Sequence, residues 1–272
     1  MDKLAGLGKK SRERLALLVR SMKGVISPKE AATVLNMQKA QAATFISRLC
    51  NNGWLSRIRR GVYIPVSIES RNADPVSDDP WGVAQRLFEP CYIGGWSAAE
   101  QWDLTEQIFR SVLVVTARKV RSRKINAGGT EYFIKMTTRK NIFGTTEVWR
   151  NNTKVKVSDP SKTIIDVLND PEIGGGIRPV FDLLKNYLNS KNKNFDLLIQ
   201  YGEKTGNGAV FKRLGFLVEK KYPQEKSFLE RCQLRISKGY SKLDPALKGD
   251  KIISKWKLWI PASWAGPDLI IN

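Results

Sequence analysis

Eight side chains between residues 39 and 60 have the types and the spacing to contact a nucleic acid. Five lie on one predicted helix and three are arginines just after it: Lys39, Gln41, Thr44, Ser47, Arg48, Arg57, Arg59 and Arg60. Amide, hydroxyl and guanidinium groups match the hydrogen-bonding patterns of base edges, and cationic groups bind phosphates. The alternative is a polar helix face that is merely solvated, in which case Gln41 or Ser47 would contact nothing. The three arginines that follow the helix favour the nucleic-acid interpretation over a solvated face.

A helix, a turn and a second helix are predicted to position these side chains. Ser27, Pro28 and Glu30 form a helix-start signal, because the hydroxyl caps free N–H groups, proline needs no donor and the glutamate reaches back to the cap. A short helix through about Leu35 follows, and residues 36–37 can supply a tight turn.

The second helix is predicted over residues 38–52, ending at Gly53. Its apolar residues follow the i, i+3, i+4, i+7 spacing of a buried helix face: Ala42, Phe45, Ile46 and Leu49. A further helix is predicted earlier, over residues 11–22, with residues 23–24 ending it and residues 25–26 able to form a short strand. The side chains expected to face inward from this first helix are Leu15, Leu18 and Val19.

Two short strands are predicted after the second helix, at residues 54–58 and 62–65, joined by the turn at residues 59–61. Helix, turn, helix and hairpin form the outline of a winged helix-turn-helix. In that arrangement a helix fits the major groove of duplex DNA, and the hairpin brings its arginines near phosphates or the minor groove. The sequence therefore predicts a protein that binds double-stranded DNA.

The charge balance agrees with a polyanionic partner. The 272 residues carry a formal net charge of +20, and the sequence pI is about 10.0. Residues 1–70 alone contain 13 Lys and Arg against 4 Asp and Glu. A balance of this size favours binding to nucleic acid or to an anionic surface. No apolar run approaches the roughly 18 residues of a spanning helix, and no leader-like segment opens the chain, so we expect a cytoplasmic protein without a membrane partner.

Histidine is absent and cysteine is scarce, which restricts the possible chemistry. With no His and only Cys50, Cys91 and Cys232, the chain has no Ser-His-Asp or Cys-His arrangement and no CxxC pair. An enzyme would have to use carboxylates, lysine or tyrosine. We therefore predict no metal site, no cofactor and no catalytic residues, and we expect free thiols.

The chain is predicted to be an α+β protein, with the winged helix-turn-helix at residues 1–68 and a mixed α/β domain at residues 80–272. A polar linker rich in Asp and Pro, residues 69–79, separates them. Strands are expected at residues 111–116, 131–136, 145–150, 153–157 and 255–260, with a turn at residues 151–152. Helices are expected at about residues 81–88, 97–102, 180–188, 195–201 and 209–214, and a helix or strand at 229–236. A further helix is expected to start at the cap Asp159 and Pro160 and to run through about residue 170.

Several weaker signals are open to more than one interpretation. The Gly174–Gly176 run lacks the spacing of a phosphate-binding motif and favours a flexible connection. The acidic residues Asp74, Asp78 and Asp79 are expected to be solvated. Five cations in seven positions form a tentative partner surface: Arg118, Lys119, Arg121, Arg123 and Lys124. A solvated loop, an extra phosphate contact and a partner-binding surface are all consistent with that cluster.

Four segments together resemble a known family. They are residues 59–63 (RRGVY), 92–98 (YIGGWSA), 157–166 (VSDPSKTIID) and 211–217 (FKRLGFL). With them the chain resembles the AbiEi antitoxins of bacterial type IV toxin–antitoxin systems, which act in abortive infection. The first segment is common among winged helices, whereas the second and third, in this order and spacing, are more specific. The resemblance is weakest over the last 50 residues.

The resemblance implies a regulator with a role in phage defence rather than an enzyme. The winged helix would bind inverted repeats in the promoter of its own operon, two copies per operator, and repress it. The C-terminal domain would counter a co-encoded nucleotidyltransferase-like toxin, and a type IV system does not require a stable complex between the two.

Two other classes of function remain open on the residues alone. One is a transcription factor whose second domain senses a small ligand. The other is a nuclease targeted by the winged helix, which would need a metal-binding carboxylate cluster drawn from Asp159, Asp166, Asp170 and Glu172.

Overall fold

The computed structural model describes residues 6–22, 25–66, 79–150 and 153–266, without the side chain of Arg59. The chain divides into two compact units. The first takes its residues from Met1–Ile93, Arg110–Met136 and Glu147–Lys156, and the second from Gly94–Phe109, Thr137–Thr146 and Val157–Asn272. The three-part division predicted from composition stays a prediction, and residues 69–78 of its linker, with Asp74 and Asp78, lie outside the described residues.

The first unit begins with the predicted winged helix-turn-helix. Its elements are α1 Lys9–Ser21, α2 Pro28–Val34, α3 Lys39–Asn51, β1 Leu55–Arg59 and β2 Val62–Pro65. The side chains of Leu18, Ile26, Ala31, Ile46 and Leu49 are fully buried in one core. The apolar face of α3 therefore packs as its spacing predicts.

Local signals account for most boundaries of this region. The Ser27 hydroxyl accepts a hydrogen bond from the Glu30 N–H (3.3 Å) and donates one to its carboxylate (2.6 Å). Asn36 turns the chain with φ of 48°, and Gly53 ends α3 with φ of 76°. One inward-facing prediction is wrong: Val19 is 45% exposed, because Leu18 takes the buried position on α1. The predicted end of α1 at residues 23–24 lies outside the described residues.

A mixed sheet follows helix α4, Pro80–Phe88. Asp79, expected to be solvated, instead caps this helix by accepting from the Gly82 N–H (2.9 Å). The strands are β3 Cys91–Ile93, β4 Ser111–Thr116, β5 Lys124–Ala127, β6 Thr130–Met136, β7 Thr145–Arg150 and β8 Thr153–Ser158. Their spatial order is β5-β6-β4-β3-β8-β7, with β4 and β6 parallel and β3–β4 and β5–β6 antiparallel. The predicted turn at residues 151–152 lies outside the described residues.

Two strands of this sheet differ from the sequence prediction. Residues 124–127, expected within a loop, form β5, which returns against β6 through Gly128 and Gly129 with φ of 60° and 69°. Residues 91–93 form β3, a three-residue buried strand that hydrophobic alternation is too short to reveal. Pairing with neighbouring strands stabilises both segments.

The second unit is mainly helical. Its helices are α5 Gly95–Gln101, α6 Pro160–Asn169, α7 Ile177–Asn189, α8 Phe195–Thr205, α9 Gly208–Lys221 and α10 Lys226–Gln233. Helix α6 packs against α5, α7, α8 and α9, and its residues 161–168 are all buried. Ser97, predicted to cap a helix, instead lies buried inside α5, which starts two residues earlier.

A small sheet near the end of the second unit consists of β9 Ser241–Lys242, β10 Lys251–Ile253 and β11 Leu258–Ile260, in the order β10-β11-β9. The strand predicted over residues 255–260 is therefore shorter than expected, since residues 254–256 form a 3₁₀ turn.

The Gly174–Gly176 segment is a packed turn rather than a flexible connection. Residues 171–174 form a 3₁₀ helix, and Gly175 and Gly176 have φ of 85° and 99°. A Cβ added at Gly174 would lie 2.5 Å from the Val180 side chain and 3.0 Å from that of Val167. The glycines are needed for backbone geometry and close packing.

Candidate nucleic-acid interface

Helix α3 is held at its start by a reciprocal cap and along one side by the core. The Gln38 N–H donates to the Gln41 side-chain oxygen (3.2 Å), closing a capping box with the Gln38 side chain. The predicted apolar stripe is buried: Ala42, Phe45, Ile46 and Leu49. The opposite side of α3 is consequently fixed toward solvent.

All five predicted contact residues of α3 are exposed: Lys39, Gln41, Thr44, Ser47 and Arg48. The structure adds Ala40 and Asn51, which are also exposed and which sequence analysis missed. At about 100° per residue, Ala40, Thr44, Ser47 and Asn51 share one face. The same spacing rule, applied to the polar side of the helix, would have found them.

The exposed face of α3 carries short side chains at its centre, which would allow a binding partner to come close to the helix. Its centre carries the short side chains of Ala40, Thr44 and Ser47, and the longer Gln41 and Arg48 lie at its edge. The Thr44 hydroxyl donates to the Ala40 carbonyl (3.1 Å), so its hydrogen is already used within the helix. Methyl groups of Ala and Thr suit the thymine methyl in the major groove.

Two arginines lie against the ring of Phe45, which closes the core beneath this face. The guanidinium carbons of Arg48 and Arg14 lie 5.8 Å and 5.9 Å from the ring centroid. Cation–π contact restricts the rotamers of Arg48 before any ligand is present. Arg14, on α1, extends the cationic surface and was not found from sequence, because only tertiary packing brings it to α3.

The hairpin is attached to the body by a β-bridge. Ile26 and Tyr63 exchange backbone hydrogen bonds of 2.7 Å and 2.9 Å. The strand predicted at residues 25–26 is thus reduced to a single bridge at Ile26, beside the hairpin as expected. Arg57 pairs with Tyr63 in register, and the turn at Gly61 has φ of 76°. Arg57 and Arg60 are exposed. The side chain of Arg59 lies outside the described residues, so its role stays a prediction.

The basic loop that follows β4 is exposed but is not uniformly available. Arg118, Lys119, Arg121, Arg123 and Lys124 are all exposed. However, the Arg118 guanidinium donates to the Leu87 carbonyl (2.9 Å) near the end of α4, and Lys124 begins β5. Arg118 therefore has a structural role, and a partner surface here stays a prediction that rests mainly on Lys119 and Arg121.

The two more specific segments of the resemblance, residues 92–98 and 157–166, are buried except for the half-buried residues 159 and 160. Lys162 forms an ion pair with Asp166, and the Ser161 and Tyr187 hydroxyls lie 2.7 Å apart. Asp159 caps α6 by accepting from the Lys162 N–H (2.8 Å). These contacts assign the segment at residues 157–166 to the interior of the unit.

Burial also perturbs the acid–base groups around Asp159. The Tyr201 hydroxyl donates to the Asp159 carboxylate (2.8 Å). Burial raises the pKa of Asp159 despite these hydrogen bonds. Burial and the bond to Asp159 raise the pKa of Tyr201 to about 12. Asp159 and Asp166, two of the carboxylates that a nuclease would need, are thus bound to protein groups.

The segment at residues 211–217 holds the end of the second unit in place. The buried Arg213 guanidinium donates to the carbonyls of Leu168 (2.7 Å) and Leu243 (2.9 Å). Burial lowers the pKa of Arg213, while Asp244 and Asp170 act against that shift. Five planar donors suit such a set of carbonyl contacts, so Arg213 has a structural role here.

A cleft of about 570 Å³ lies within the second unit, at the start of α7. Arg178, Lys248 and Trp264 line it. Asp244, also in the lining, accepts from the Ile177 and Ala246 N–H groups, both at 2.9 Å. Its carboxylate therefore already occupies the helix N-terminus.

In the ranges 6–22, 25–66, 79–150 and 153–266, no three His, Cys, Asp or Glu side chains come together as a metal site. Across the same described residues, no helix combines the length and apolar character needed to cross a bilayer.

Comparison with known proteins finds a family model similar to the N-terminal region and a solved structure with a similar fold. Residues 13–66 match the family model described as "Transcriptional regulator, AbiEi antitoxin", which agrees with the resemblance found from sequence. No curated protein matches the chain. The crystal structure of the RV2827C protein from Mycobacterium tuberculosis is similar, with a TM-score of 0.59 over 95% of this chain and 94% of that one. At 11% identity this similarity shows the fold alone.

Proposed function

We propose that this protein is the antitoxin of a type IV toxin–antitoxin system and represses its own operon. The observation that carries the proposal is the exposed face of α3 beside the cationic hairpin. Both lie within residues 13–66, which match the AbiEi regulator family model.

In the proposed complex α3 lies in the major groove of the promoter. Ala40, Thr44 and Ser47 face the base edges closely, while Arg48 reaches a base or a phosphate from the edge of the helix. Arg57 and Arg60 contact phosphates and set the register of the protein on the duplex. Arg59 and Lys39 are assigned the same kind of contact. Inverted repeats bind two copies, one on each half-site.

The remainder of the chain is proposed to counter a co-encoded nucleotidyltransferase-like toxin. The motivation is the set of segments at residues 92–98, 157–166 and 211–217, with Lys119 and Arg121 as the proposed partner surface. Both activities would take place in the cytoplasm, which contains the promoter and the toxin. The antagonism is functional and does not require a stable complex.

The DNA-binding part is tested with a labelled promoter fragment from the operon. We expect Arg57→Gln with Arg60→Gln to weaken binding similarly for all sequences and to lower the salt slope by about one per arginine. Arg139→Gln, an exposed arginine of the second unit, is the matched control. Unchanged affinity and salt slope in the double variant would remove the hairpin from the interface.

The antitoxin part is tested by co-expression with the neighbouring toxin gene. Residues 80–93 share a compact unit with the winged helix, so the full chain carrying Arg57→Gln and Arg60→Gln is preferable to a truncation. We expect this variant to rescue growth while no longer repressing the promoter. Failure of the wild-type chain to rescue growth would contradict the antitoxin role.

A ligand-sensing regulator is the second candidate, and the cleft at the start of α7 is the observation that favours it. A neighbouring gene without nucleotidyltransferase character would favour this candidate over the antitoxin.

A further inference from the structure

The small sheet of the second unit presents one face whose residues are aligned across all its strands. Trp259 of β11 pairs in register with Ile252 of β10 and with Lys242 of β9. Residues in register point to the same side of a sheet. We call the side formed by Tyr240, Lys242, Ile252 and Trp259 the Trp259 face.

The Trp259 face is exposed to solvent, whereas the other side of the sheet is buried. Trp259 is 39% exposed, Ile252 45% and Tyr240 51%, whereas Leu258 and Ile260 are fully buried. The Tyr240 and Trp259 rings lie 6.4 Å apart between centroids. The core of the unit is therefore complete without these aromatic rings, which remain available for contact.

The backbone that carries the exposed rings is held by hydrogen bonds. The buried Lys212 ammonium donates to the Gly239 carbonyl and to the Ser241 hydroxyl (3.2 Å), on either side of Tyr240. The Ser241 N–H donates to the Lys257 carbonyl (3.0 Å), and the Leu243 N–H donates to the Trp259 carbonyl (2.8 Å). A platform with a fixed backbone loses less entropy when it binds a ligand.

The surroundings of the Trp259 face are cationic. Residues 238–260 contain six lysines and two aspartates. Asp244 is buried and accepts backbone N–H groups, and Asp250 lies 3.6 Å from the Lys248 ammonium. Lys242, on the face itself, and Lys238, two residues before Tyr240, are exposed. The field around the aromatic pair therefore attracts an anionic ligand.

We infer that the Trp259 face binds single-stranded RNA, with bases stacked on Trp259 and Tyr240 and phosphates held by Lys238 and Lys242. Exposed aromatic rings flanked by cations are the arrangement that single-stranded nucleic acids require. Duplex DNA hides the faces of its bases, whereas RNA loops and ends present them. This site is separate from the proposed promoter contact on α3.

The binding is tested by fluorescence anisotropy of a labelled single-stranded RNA of about 12 nucleotides, at about 0.15 M salt. The full-length chain carries Arg57→Gln and Arg60→Gln throughout, so that the hairpin does not mask the second site. Trp259→Ala is expected to weaken RNA binding about 5- to 150-fold. Trp259→Phe should restore most of the affinity because it keeps an aromatic face, and Lys242→Gln should reduce the salt slope.

The matched control is Trp149→Ala. Trp149 is 64% exposed on β7, and the Lys154 ammonium lies 5.3 Å from the centroid of the Trp149 ring. The Trp149→Ala variant should leave RNA binding unchanged. Circular dichroism melting of each variant checks folding, and promoter binding by Trp259→Ala in the otherwise wild-type chain should equal that of the wild type.

Three results would overturn the inference. One is equal RNA affinity for Trp259→Ala and Trp149→Ala. Another is binding of duplex RNA or single-stranded DNA tighter than that of single-stranded RNA. The third is a Trp259→Ala variant that loses co-sedimentation with phosphatidylserine vesicles but keeps its RNA affinity, which would assign the face to a membrane surface.

Discussion

Lys162 and Asp166 lie one turn apart on helix α6, and their side chains form an ion pair in the interior of the second unit. Their side chains are only 2% and 10% exposed. The Lys162 ammonium also lies 4.7 Å from the centroid of the Phe143 ring. A buried pair of this kind is expensive to break, because removing one partner leaves the other charge in a poorly solvated place.

Asp166→Ala should therefore lower the free energy of unfolding by about 3–5 kcal/mol. The measurement is urea denaturation followed by circular dichroism. The double replacement Lys162→Met with Asp166→Leu should be much less damaging, since it removes both charges together.

The control for this prediction is Asp182→Ala. It removes a similar helical pair, Lys185–Asp182, in which the aspartate is 55% exposed, and should cost less than about 1 kcal/mol. Equal losses for Asp166→Ala and Asp182→Ala would show that the buried pair has no special role.

The Tyr201–Asp159 hydrogen bond should make stability depend on alkaline pH. The pKa of Tyr201 is raised from 10.0 to about 12 in the folded protein. A raised pKa means that the folded state holds the proton more tightly than the unfolded state does. The contribution of the protonated Tyr201 hydroxyl to the free energy of unfolding is therefore complete below pH 10, and it is lost as the pH rises toward 12.

Comparison with Tyr201→Phe isolates this effect from the other titrating groups. The stability difference between the wild type and Tyr201→Phe should be constant below pH 10 and should shrink between pH 10 and 12, as measured by thermal melting at each pH. A difference that is independent of pH over this range would show that the hydroxyl does not titrate there.

Ala40→Leu should weaken promoter binding without destabilising the fold. Ala40 is exposed at the centre of the α3 face, and a longer side chain would keep the helix from the base edges. Loss of a good base contact costs about 1–3 kcal/mol, so we expect a drop of tenfold or so in affinity, read by anisotropy.

Ala16→Leu, at an exposed position of α1, is the matched control and should bind the promoter as the wild type does. If both variants bind equally well, the centre of the α3 face does not approach the DNA.

Gly174→Ala should destabilise the second unit. The added methyl group would lie 2.5 Å from Val180 and 3.0 Å from Val167, and overpacking of this kind costs about 1–3 kcal/mol. Gly6→Ala, which meets no atom within 4 Å, should change the stability by less than about 0.5 kcal/mol. Wild-type stability in Gly174→Ala would mean that the turn moves freely to accept the methyl group.

Much of the winged helix and several helix starts could be predicted because their signals are local. Ser27 and Asp159 cap the helices that follow them, and Gly53 ends α3, each through contacts within a few residues of the chain. The buried stripe of α3 and its exposed polar side follow from one periodicity. The residue types on the polar side of α3 already predicted contact with a nucleic acid.

Only the tertiary structure decided the features that need distant partners. Strand β5 exists because β6 lies beside it, and Gly174 is packed because Val167 and Val180 surround it. Arg14 joins the candidate interface through Phe45, and Trp259 meets Tyr240 through strand pairing. Local propensity contains no information on which segments will meet, since long-range contacts depend on the whole chain. The sequence by itself thus determined the helix that is proposed to face the DNA, and folding decided which other surfaces are exposed.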